Sequence, residues 1–544
     1  MKSNPCEPPV WFPYCFFLFT AAFLYLVLFI LPATPEYLAG ADQYSFLYNA
    51  TRMLRGEMIY RDFFQFTAPG TELLYFALFK LIGVHAWIPN AMLVVLGFSL
   101  TWVCVSVSRK VLSGVAAYLP GLLFLLAAFY PNMDGSHHWY STLAVTAAVA
   151  LVIEKRNRKR VAGAAAFCAL ASFFTQTRGV CALFGLALFL WWENRMVGHS
   201  RKALIKIEAL LAGVFSTVIV GLNLYFVWVV GLKSYLWHTV IFVVRYFPAD
   251  SPQNSFGAYL DAWPSLTRWY HLPALLSWLF LHLTVPLIYI LFFARFWRES
   301  KAKPEQPWDR LMLVNLLGLS TFAGIAPAAT YPRICTVALP GLIILVWFLR
   351  SGGRLQSLVR QMLWLGAGIV LTGYAVRSQT RWRGIYDAPA GRLAVSDPQV
   401  YEGIEWLGSR THPGQLLFDC NGQVYFPLGL QSPAEVQFLS DTDYLRPEQA
   451  RNVIDSLERH RVEMVLWCLD YDPGVRGFRP DDHLGPLREY LQTHYHAVKI
   501  IENSVRVLER NEGPAAEQFS EGAARSAPRN FTPATPPPKR EPES

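Results

Sequence analysis

The sequence predicts a polytopic α-helical membrane protein of about eleven spans, followed by a small α/β domain outside the membrane. Of the 544 residues, 53% are hydrophobic and only 16% are charged, so the chain is more apolar than an ordinary soluble domain. Apolar runs close to the roughly 20 residues that cross a hydrocarbon core recur from Trp11 to about Val376. Beyond Val376 the pattern becomes mixed and more hydrophilic.

The predicted spans are separated by short loops that contain charged residues, Gly or Pro. They lie near residues 11–31, 90–107, 112–130, 139–153, 161–174, 180–192, 207–230, 272–294, 311–326, 334–349 and 361–376. We expect the first run to remain as an anchor, because only Lys2 precedes it and it is longer than a typical signal-peptide core.

The orientation follows from the loop "EKRNRKR" (Glu154–Arg160), whose five basic residues place it in the cytoplasm. Counting crossings from this loop puts the N-terminus in the cytoplasm and the chain after Val376 outside. The net charge of +9 is concentrated in such loops and is explained by topology, so it predicts no nucleic-acid partner.

The segment "TELLYFALFKLIGV" (Thr71–Val84) leaves one alternative open. Its apolar stretch is short and Lys80 interrupts it, so we expect a helix that lies in the membrane interface or re-enters it. If it spans instead, the preceding loop moves to the cytoplasm, and the three arginines of that loop (Arg52, Arg55 and Arg61) favour this alternative.

Three parts of the chain are expected: a membrane domain over 1–376, an extracytoplasmic α/β domain over 377–510, and a disordered tail over 511–544. Within the second part, "QLLFDC" (Gln415–Cys420) and "VEMVLWCL" (Val462–Leu469) are compact apolar runs typical of buried strands. Helical spacing appears at Pro447–His460 and His483–Tyr495, and "AVKIIENSVRVLER" predicts two strands around a turn. Cys420 and Cys468 either form a disulfide in an oxidising compartment or stay as two buried thiols, and the strand setting favours the thiols.

Ionisable residues gather on the outer side of the membrane in this topology. They are Asp42, Arg61 and Asp62 in the first outer loop, Asp134, His137 and His138 in "YPNMDGSHHWY", Arg178 in "TQTRG", Arg245 in "VRYFPAD" and Arg333 in "ATYPR". Burying an ionisable side chain at membrane depth costs free energy unless the group is paired with another charge or in contact with water. These residues are therefore functional candidates. A carboxylate can act as a general base and arginines can bind a leaving phosphate, which points to a phosphate-linked lipid as substrate.

Ordinary roles are the alternatives for these residues. Asp42 could cap a helix, and the adjacent Arg61 and Asp62 could form a surface ion pair of little energetic value. Asp134 and the two histidines could belong to a polar turn, and their spacing does not identify a metal site. Arg178 could extend its charge to the interface.

Three segments resemble a known group of proteins. "GADQYSFLYNATRMLRGEMIYRDFFQFTAPG" (Gly40–Gly70), "FFTQTRGV" (Phe173–Val180) and "YEGIEWLGSRTHPGQLLFD" (Tyr401–Asp419) are similar to membrane glycosyltransferases of the C-type (GT-C) fold. That group includes protein O-mannosyltransferases, the aminoarabinose transferase of lipid A and bacterial lipopolysaccharide-core sugar transferases.

The resemblance implies an enzyme of the bacterial inner membrane that moves a sugar from a polyprenyl-phosphate-linked donor to an envelope glycan, lipid or protein acceptor. It implies Asp42 as catalytic base and Asp134 as the second acidic residue, with His137 or His138 assisting and, in some relatives, a divalent metal. The chain departs from the aminoarabinose-transferase pattern at Thr67–Gly70, where those proteins have acidic and lysine residues. Arg61, Arg178 or Arg333 would then contact the phosphate, with Asp62 and Arg245 as further substrate-binding candidates.

Other functions remain as rivals. A transporter or flippase of a lipid-linked sugar could use the same charges to bind cargo without reaction, although no internal repeat is evident. An O-antigen-type ligase or polymerase would carry a large outer loop late in the membrane region, whereas the longest one here, near 231–271, is central. The nucleotide-binding pattern GxxxxGK[ST] and the hydrolase pattern GxSxG are both absent from the sequence.

Overall fold

A computed structural model describes residues 8–198, 200–246, 259, 272–326, 329–350, 353–440, 444–475, 478–480 and 482–511. Most of these residues are helical. Apart from Asn511, the C-terminal stretch that the sequence predicts to be disordered lies outside the described residues.

The membrane part consists of helices whose positions follow the apolar runs. Their bounds are α1 Trp11–Leu28, α2 Gln43–Leu54, α3 Gly70–Ile82, α4 Ile88–Ser108, α5 Leu119–Phe124, α6 His137–Val152, α7 Arg158–Phe174, α8 Gln176–Val197, α9 Arg201–Val230, α10 Leu232–Leu236, α11 Phe242–Tyr246, α12 Leu272–Glu299, α13 Trp308–Ile325, α14 Tyr331–Arg350 and α15 Arg354–Thr380. Helix α5 belongs to a continuous helical segment, Gly114–Asn132, that includes 3₁₀ and π turns.

Among the described residues, eight helical segments are long and apolar enough to cross a membrane. They are Trp11–Leu28, Ile88–Ser108, Gly114–Asn132, Gln176–Val197, Arg201–Val230, Ala274–Glu299, Tyr331–Arg350 and Arg354–Thr380. The chain is therefore an integral membrane protein. Helices α6, α7 and α13 coincide with three further predicted spans but are shorter or less apolar, with 16, 17 and 18 residues, so the count of eleven stays a prediction.

The segment between α1 and α4, residues 29–87, folds against the end of the bundle. We call it the outer segment, after the side of the membrane on which the sequence predicts it. Two short strands, β1 Phe29–Ile30 and β2 Thr34–Pro35, pair antiparallel ahead of α2. Helix α3 has only 13 residues, which at 1.5 Å per residue is too short to cross a hydrocarbon core. Its Glu72 is buried and accepts hydrogen bonds from Asn49 and Gln65. A short helix with a buried, hydrogen-bonded glutamate agrees with the prediction of a helix that lies in the interface or re-enters the membrane.

The C-terminal α/β region, residues 384–511, contains a hairpin and a four-stranded sheet. Its elements are β3 Gly384–Ala388, β4 Gly391–Val395, α16 Pro398–Gly408, β5 Phe418–Asp419, α17 Tyr425–Leu428, α18 Pro447–Arg459, β6 Met464–Cys468, α19 Gly485–His494, β7 Tyr495–Ile501 and β8 Val505–Arg510. The sheet has the order β5-β6-β8-β7, in which β5 and β6 are parallel and the other pairs antiparallel. The predicted helices and strands are present, but β5 is reduced to two residues, and the domain boundaries stay a prediction.

Apolar packing joins the outer segment to the C-terminal α/β region. One buried cluster contains side chains from α2 and α3 together with others from β4, α16 and α17. Within it, the Tyr48 and Tyr425 rings stack with centroids 4.4 Å apart, and the Phe79 and Phe426 rings stack at 5.8 Å. A separate, larger cluster fills the helix bundle. The outer segment thus lies between the bundle and the α/β region.

The favoured reading of Cys420 and Cys468 as free thiols is wrong, because the structure joins them in a disulfide with their Cα atoms 5.8 Å apart. The cause is strand pairing: β5 lies beside β6, and the Cys420 amide donates to the Leu466 carbonyl at 3.0 Å. Sequence patterns predicted both strands but not that they are neighbours.

Candidate active site

A cavity of about 820 Å³ opens where the helix bundle meets the C-terminal α/β region. We call it the main cavity. Its lining includes the charged residues Glu36, Asp42, Asp134, Arg333, Arg377, Arg381 and Asp397, together with Asn132 and His138. They come from the outer segment, the end of the Gly114–Asn132 helical segment, the turn before α6 and the first turn of α6, the start of α14, the end of α15 and the start of α16. The cavity is therefore assembled from distant parts of the chain.

Asp42 directly precedes α2, and its side chain makes no capping hydrogen bond to that helix. It lines the main cavity instead. The carboxylate keeps an exposed face toward the cavity, while protein surrounds its other sides and the resulting desolvation raises its pKa. The nearby Arg333 guanidinium opposes this effect and lowers the same pKa. A carboxylate whose pKa is raised in this way is a stronger base than an ordinary aspartate once it is deprotonated.

Asp134 is held beside Asp42 by hydrogen bonds that connect two loops. Its Oδ1 accepts from the Gln43 amide at 3.0 Å, and the Gln43 Oε1 accepts from the Gly135 amide at 2.9 Å. The Asp134 carboxylate thus takes the capping position that Asp42 leaves unused at the start of α2. Desolvation and, second, the charge of Asp42 raise the pKa of Asp134. The two predicted acidic residues are therefore neighbours in one site.

Three arginines line the same cavity as the two carboxylates and supply positive charge to it. Arg333 lies in the first turn of α14, and Arg377 and Arg381 lie at the end of α15. Arg381 donates to Glu36 at 2.6 Å, and Arg383 donates to the other oxygen of Glu36 at 2.7 Å. Glu36 is only 2% exposed, so this ion-pair group fixes the cavity wall to the outer segment.

Glu36, Arg377 and Arg381 are not among the predicted site residues. For the two arginines the reason is that the pattern becomes hydrophilic at "VRSQTRWR", directly after the last predicted span, whereas α15 continues to Thr380. A signal was present: Arg377 and Arg381 are four residues apart, a spacing that places both on one helix face.

Arg178 lies behind the cavity wall rather than on it. It is 5% exposed, and its Nη1 donates to Thr142 Oγ1 at 2.8 Å and to the Thr336 carbonyl at 3.0 Å. These bonds connect α8 to α6 and α14. His138 lines the cavity and its ring lies 3.9 Å from that of His137. Arg178 therefore holds the helices that carry His138 and Arg333.

The structure does not bring Arg61, Asp62 and Arg245 to the main cavity. Arg61 is exposed and donates to Asp62 at 2.7 Å, and Asp62 also accepts from the Met58 amide at 2.7 Å. Arg245 is exposed and lies over the Tyr246 ring at 5.5 Å. The surface-pair alternative thus describes the geometry of Arg61 and Asp62.

Metal binding has limited support from the donors present. No group of three or more His, Cys, Asp or Glu side chains is arranged to hold a metal ion within the described ranges. Asp42 and Asp134 supply two carboxylates, which is fewer than a protein-built cation site normally uses. The predicted divalent metal therefore stays a prediction.

No protein-family model and no curated protein matches the sequence. Solved structures do match the fold. ArnT from Cupriavidus metallidurans superposes with a TM-score of 0.57 in the apo state, at 14% identity, covering 91% of this chain and 97% of that one. The same protein bound to undecaprenyl phosphate gives 0.56 at 12% identity, with 92% and 98% covered.

An oligosaccharyltransferase from Archaeoglobus fulgidus in the apo form also matches, with a TM-score of 0.52 at 10% identity, covering 93% of this chain and 75% of that one. At such identities the likeness concerns the fold, and these proteins are glycosyltransferases of one architecture. The likeness to ArnT extends over 91–92% of this chain. This chain therefore has the C-type (GT-C) fold of membrane glycosyltransferases.

Proposed function

We propose that the protein transfers a sugar from a polyprenyl-phosphate-linked donor to an envelope glycan, lipid or protein acceptor. One observation carries this proposal: within a GT-C fold, a single cavity places the carboxylates of Asp42 and Asp134 in the same space as Arg333 and Arg377. Acid and base groups for the acceptor and cationic groups for a phosphate are thus available together.

In the proposed reaction, Asp42 takes the proton from an acceptor hydroxyl, whose oxygen attacks the anomeric carbon of the donor sugar. The bond between that carbon and the phosphate oxygen breaks, and the electron pair leaves with the lipid phosphate. Arg333 and Arg377 stabilise the negative charge that develops on this phosphate. Asp134 holds the start of α2 and so keeps Asp42 in place. No step uses a metal ion, although Asp42 and Asp134 offer two oxygen donors to one.

We place this reaction on the extracytoplasmic face of a bacterial inner membrane, with the N-terminus in the cytoplasm. The Cys420–Cys468 disulfide supports this side for the α/β region, because disulfides persist in oxidising compartments and are rare in the cytosol. The basic loop Glu154–Arg160 supports the opposite side for the α6–α7 connection.

The first prediction concerns Asp42→Asn. Purified protein given a polyprenyl-phosphate sugar and an envelope extract as acceptor should release free polyprenyl phosphate, measured by mass spectrometry. The variant should release it at least about a hundredfold more slowly, the lower end of what a general base supplies, while its melting temperature stays within a few degrees. Unchanged release would remove Asp42 from the mechanism, and donor binding without release by the wild type would favour a transporter.

A further inference from the structure

A second cavity of about 320 Å³ lies between the outer segment, the turn after α9 and the C-terminal α/β region. Its lining residues are Tyr60, Arg61, Phe63, Phe64, Ser234, Trp237, His238, Phe242, Glu435, Arg446, Glu448 and Gln449. None of these residues lines the main cavity. Its volume is at the lower end of the range typical of small-molecule sites, about 300–1,000 Å³.

Two unusual backbone features build its aromatic wall. Tyr60 has φ of +69°, a conformation that non-glycine residues adopt rarely, and its carbonyl accepts from Ser234 Oγ at 3.1 Å. Residues Trp237–Ile241 form a π-helical turn, an element frequent at functional sites. This turn supplies Trp237 and His238, and Phe64 lies between His238 and Phe242, with ring centroids 5.6 and 4.9 Å apart.

The polar groups of this cavity are balanced in charge. His238 Nδ1 lies 2.8 Å from the Ser234 carbonyl, which can only accept, so Nδ1 carries the proton and Nε2 is left as an acceptor. Burial lowers the pKa of His238, so the ring is neutral at pH 7. The rim carries the basic Arg61 and Arg446 and the acidic Glu435 and Glu448. Two positive and two negative charges give no preference for an anion.

We propose that the second cavity binds one or two neutral sugar residues of the acceptor. Aromatic faces pack against the apolar faces of sugar rings, as they do against other apolar surfaces, and a neutral imidazole with carboxylates and guanidinium groups can satisfy several hydroxyls. That the sugar belongs to the acceptor rests on the proposed function, whereas the binding of a neutral saccharide stands on this cavity alone.

Saturation-transfer NMR on the full-length protein in nanodiscs tests the site. The probes are neutral mono- and disaccharides, namely glucose, galactose, N-acetylglucosamine, maltose and lactose, with inorganic phosphate as a charged comparison. At least one saccharide should bind to wild-type protein, and Trp237→Ala should bind it about tenfold more weakly, a loss of about 1.4 kcal/mol. Trp237→Phe, which keeps an aromatic face, should retain most of the binding.

The matched control is Trp228→Ala, because Trp228 is 80% exposed on α9 and lines neither cavity. It should bind the saccharides as the wild type does. His238→Phe provides a second test that keeps the ring contacts and removes the acceptor, and it should also weaken binding. Absence of any saccharide signal, binding of phosphate alone, or binding that is insensitive to both Trp237→Ala and His238→Phe would overturn the proposal.

Asp42→Asn separates this proposal from the proposed function. Because Asp42 lies in the main cavity, this variant should still bind the saccharide while losing transfer. If wild-type protein binds saccharide but never releases polyprenyl phosphate, the enzyme assignment fails and the binding site stands.

Discussion

Asp42 and Asp134 are two neighbouring carboxylates whose desolvation raises the pKa of each, while Arg333 opposes this at Asp42. A base works only when deprotonated, so the rate should fall as the pH falls through the pKa of Asp42. Because that pKa is raised, the loss of activity should begin at a higher pH than an ordinary aspartate would give.

Arg333→Gln should move this acid limb to still higher pH. The substitution removes the positive charge that favours ionised Asp42, so more of the base is protonated at a given pH. The measurement is kcat/KM for the donor as a function of pH. Arg245→Gln is the matched control, since Arg245 is exposed and lines neither cavity. An acid limb that stays in place or moves downward in Arg333→Gln would contradict the role of Arg333.

Glu36→Gln should destabilise the protein strongly. Glu36 is 2% exposed and pairs with Arg381 and with Arg383, whose side chain is only 5% exposed, so the change leaves buried positive charge uncompensated. Breaking such a buried pair costs roughly 3–5 kcal/mol. Thermal unfolding followed by circular dichroism should show a clear drop in Tm. The control is Asp387→Asn, which breaks an exposed ion pair with Arg392 and should change Tm little. Equal Tm shifts in the two variants would show that the buried ion pairs of Glu36 do not stabilise the protein.

At the scale of elements, the crossing of α7 and α8 decides where Arg178 lies. Gly179 packs directly on α7: a Cβ there would overlap the Cys168 carbonyl oxygen and lie 2.5 Å from the Ser172 nitrogen. The two helices can therefore approach closely only because residue 179 has no side chain. The adjacent Arg178 then reaches Thr142 and Thr336 on two other helices.

Gly179→Ala should separate α7 from α8 and displace Arg178, with a loss of stability on the order of 1–3 kcal/mol or more, as in overpacked cores. Both Tm and donor turnover should decrease. Gly213→Ala on α9 is the control, because no atom lies within 4 Å of a Cβ at that position and alanine is the better helix former. A normal Tm for Gly179→Ala would show that this crossing tolerates a side chain.

At the scale of the whole molecule, the proposal depends on which end of the bundle faces outward. Arg245 follows the C-terminal end of α9, and Lys202 lies near its N-terminal end; both are exposed. A span of 30 residues in α9 separates the two positions by more than a hydrocarbon thickness.

Single cysteines at these positions test the orientation. In a variant in which Cys6 and Cys15 are replaced, Cys15 being the exposed free thiol among the described residues, Arg245→Cys should react with a membrane-impermeant maleimide in intact spheroplasts. Lys202→Cys should react only after permeabilisation. The reverse pattern would place the main cavity in the cytoplasm and refute the proposed extracytoplasmic reaction.

Much of the candidate site was predictable because its residues interrupt apolar runs. Asp42, Asp134, His138 and Arg333 stand out in this way, and all four line the main cavity. Arg61, Asp62 and Arg245 are charged residues near apolar runs as well, yet they do not line the main cavity. A charge that interrupts an apolar run does not specify which residues will surround it in the fold. Glu36 lies in a polar segment where nothing marks it, and only its contacts with Arg381 and Arg383 show its place in the wall.

Hydrophobicity and periodicity are local properties of the chain. They were therefore enough to predict a membrane protein, the positions of its main helices, and the strands and helices that follow them. Three facts became visible only in the folded chain: which charges share a cavity, that Cys420 is bonded to Cys468, and that Trp237 and His238 line a second cavity with Tyr60. These facts depend on contacts between segments that are far apart in the sequence. Electrostatic and packing energies depend on the distance between atoms in space, which a local sequence pattern does not specify.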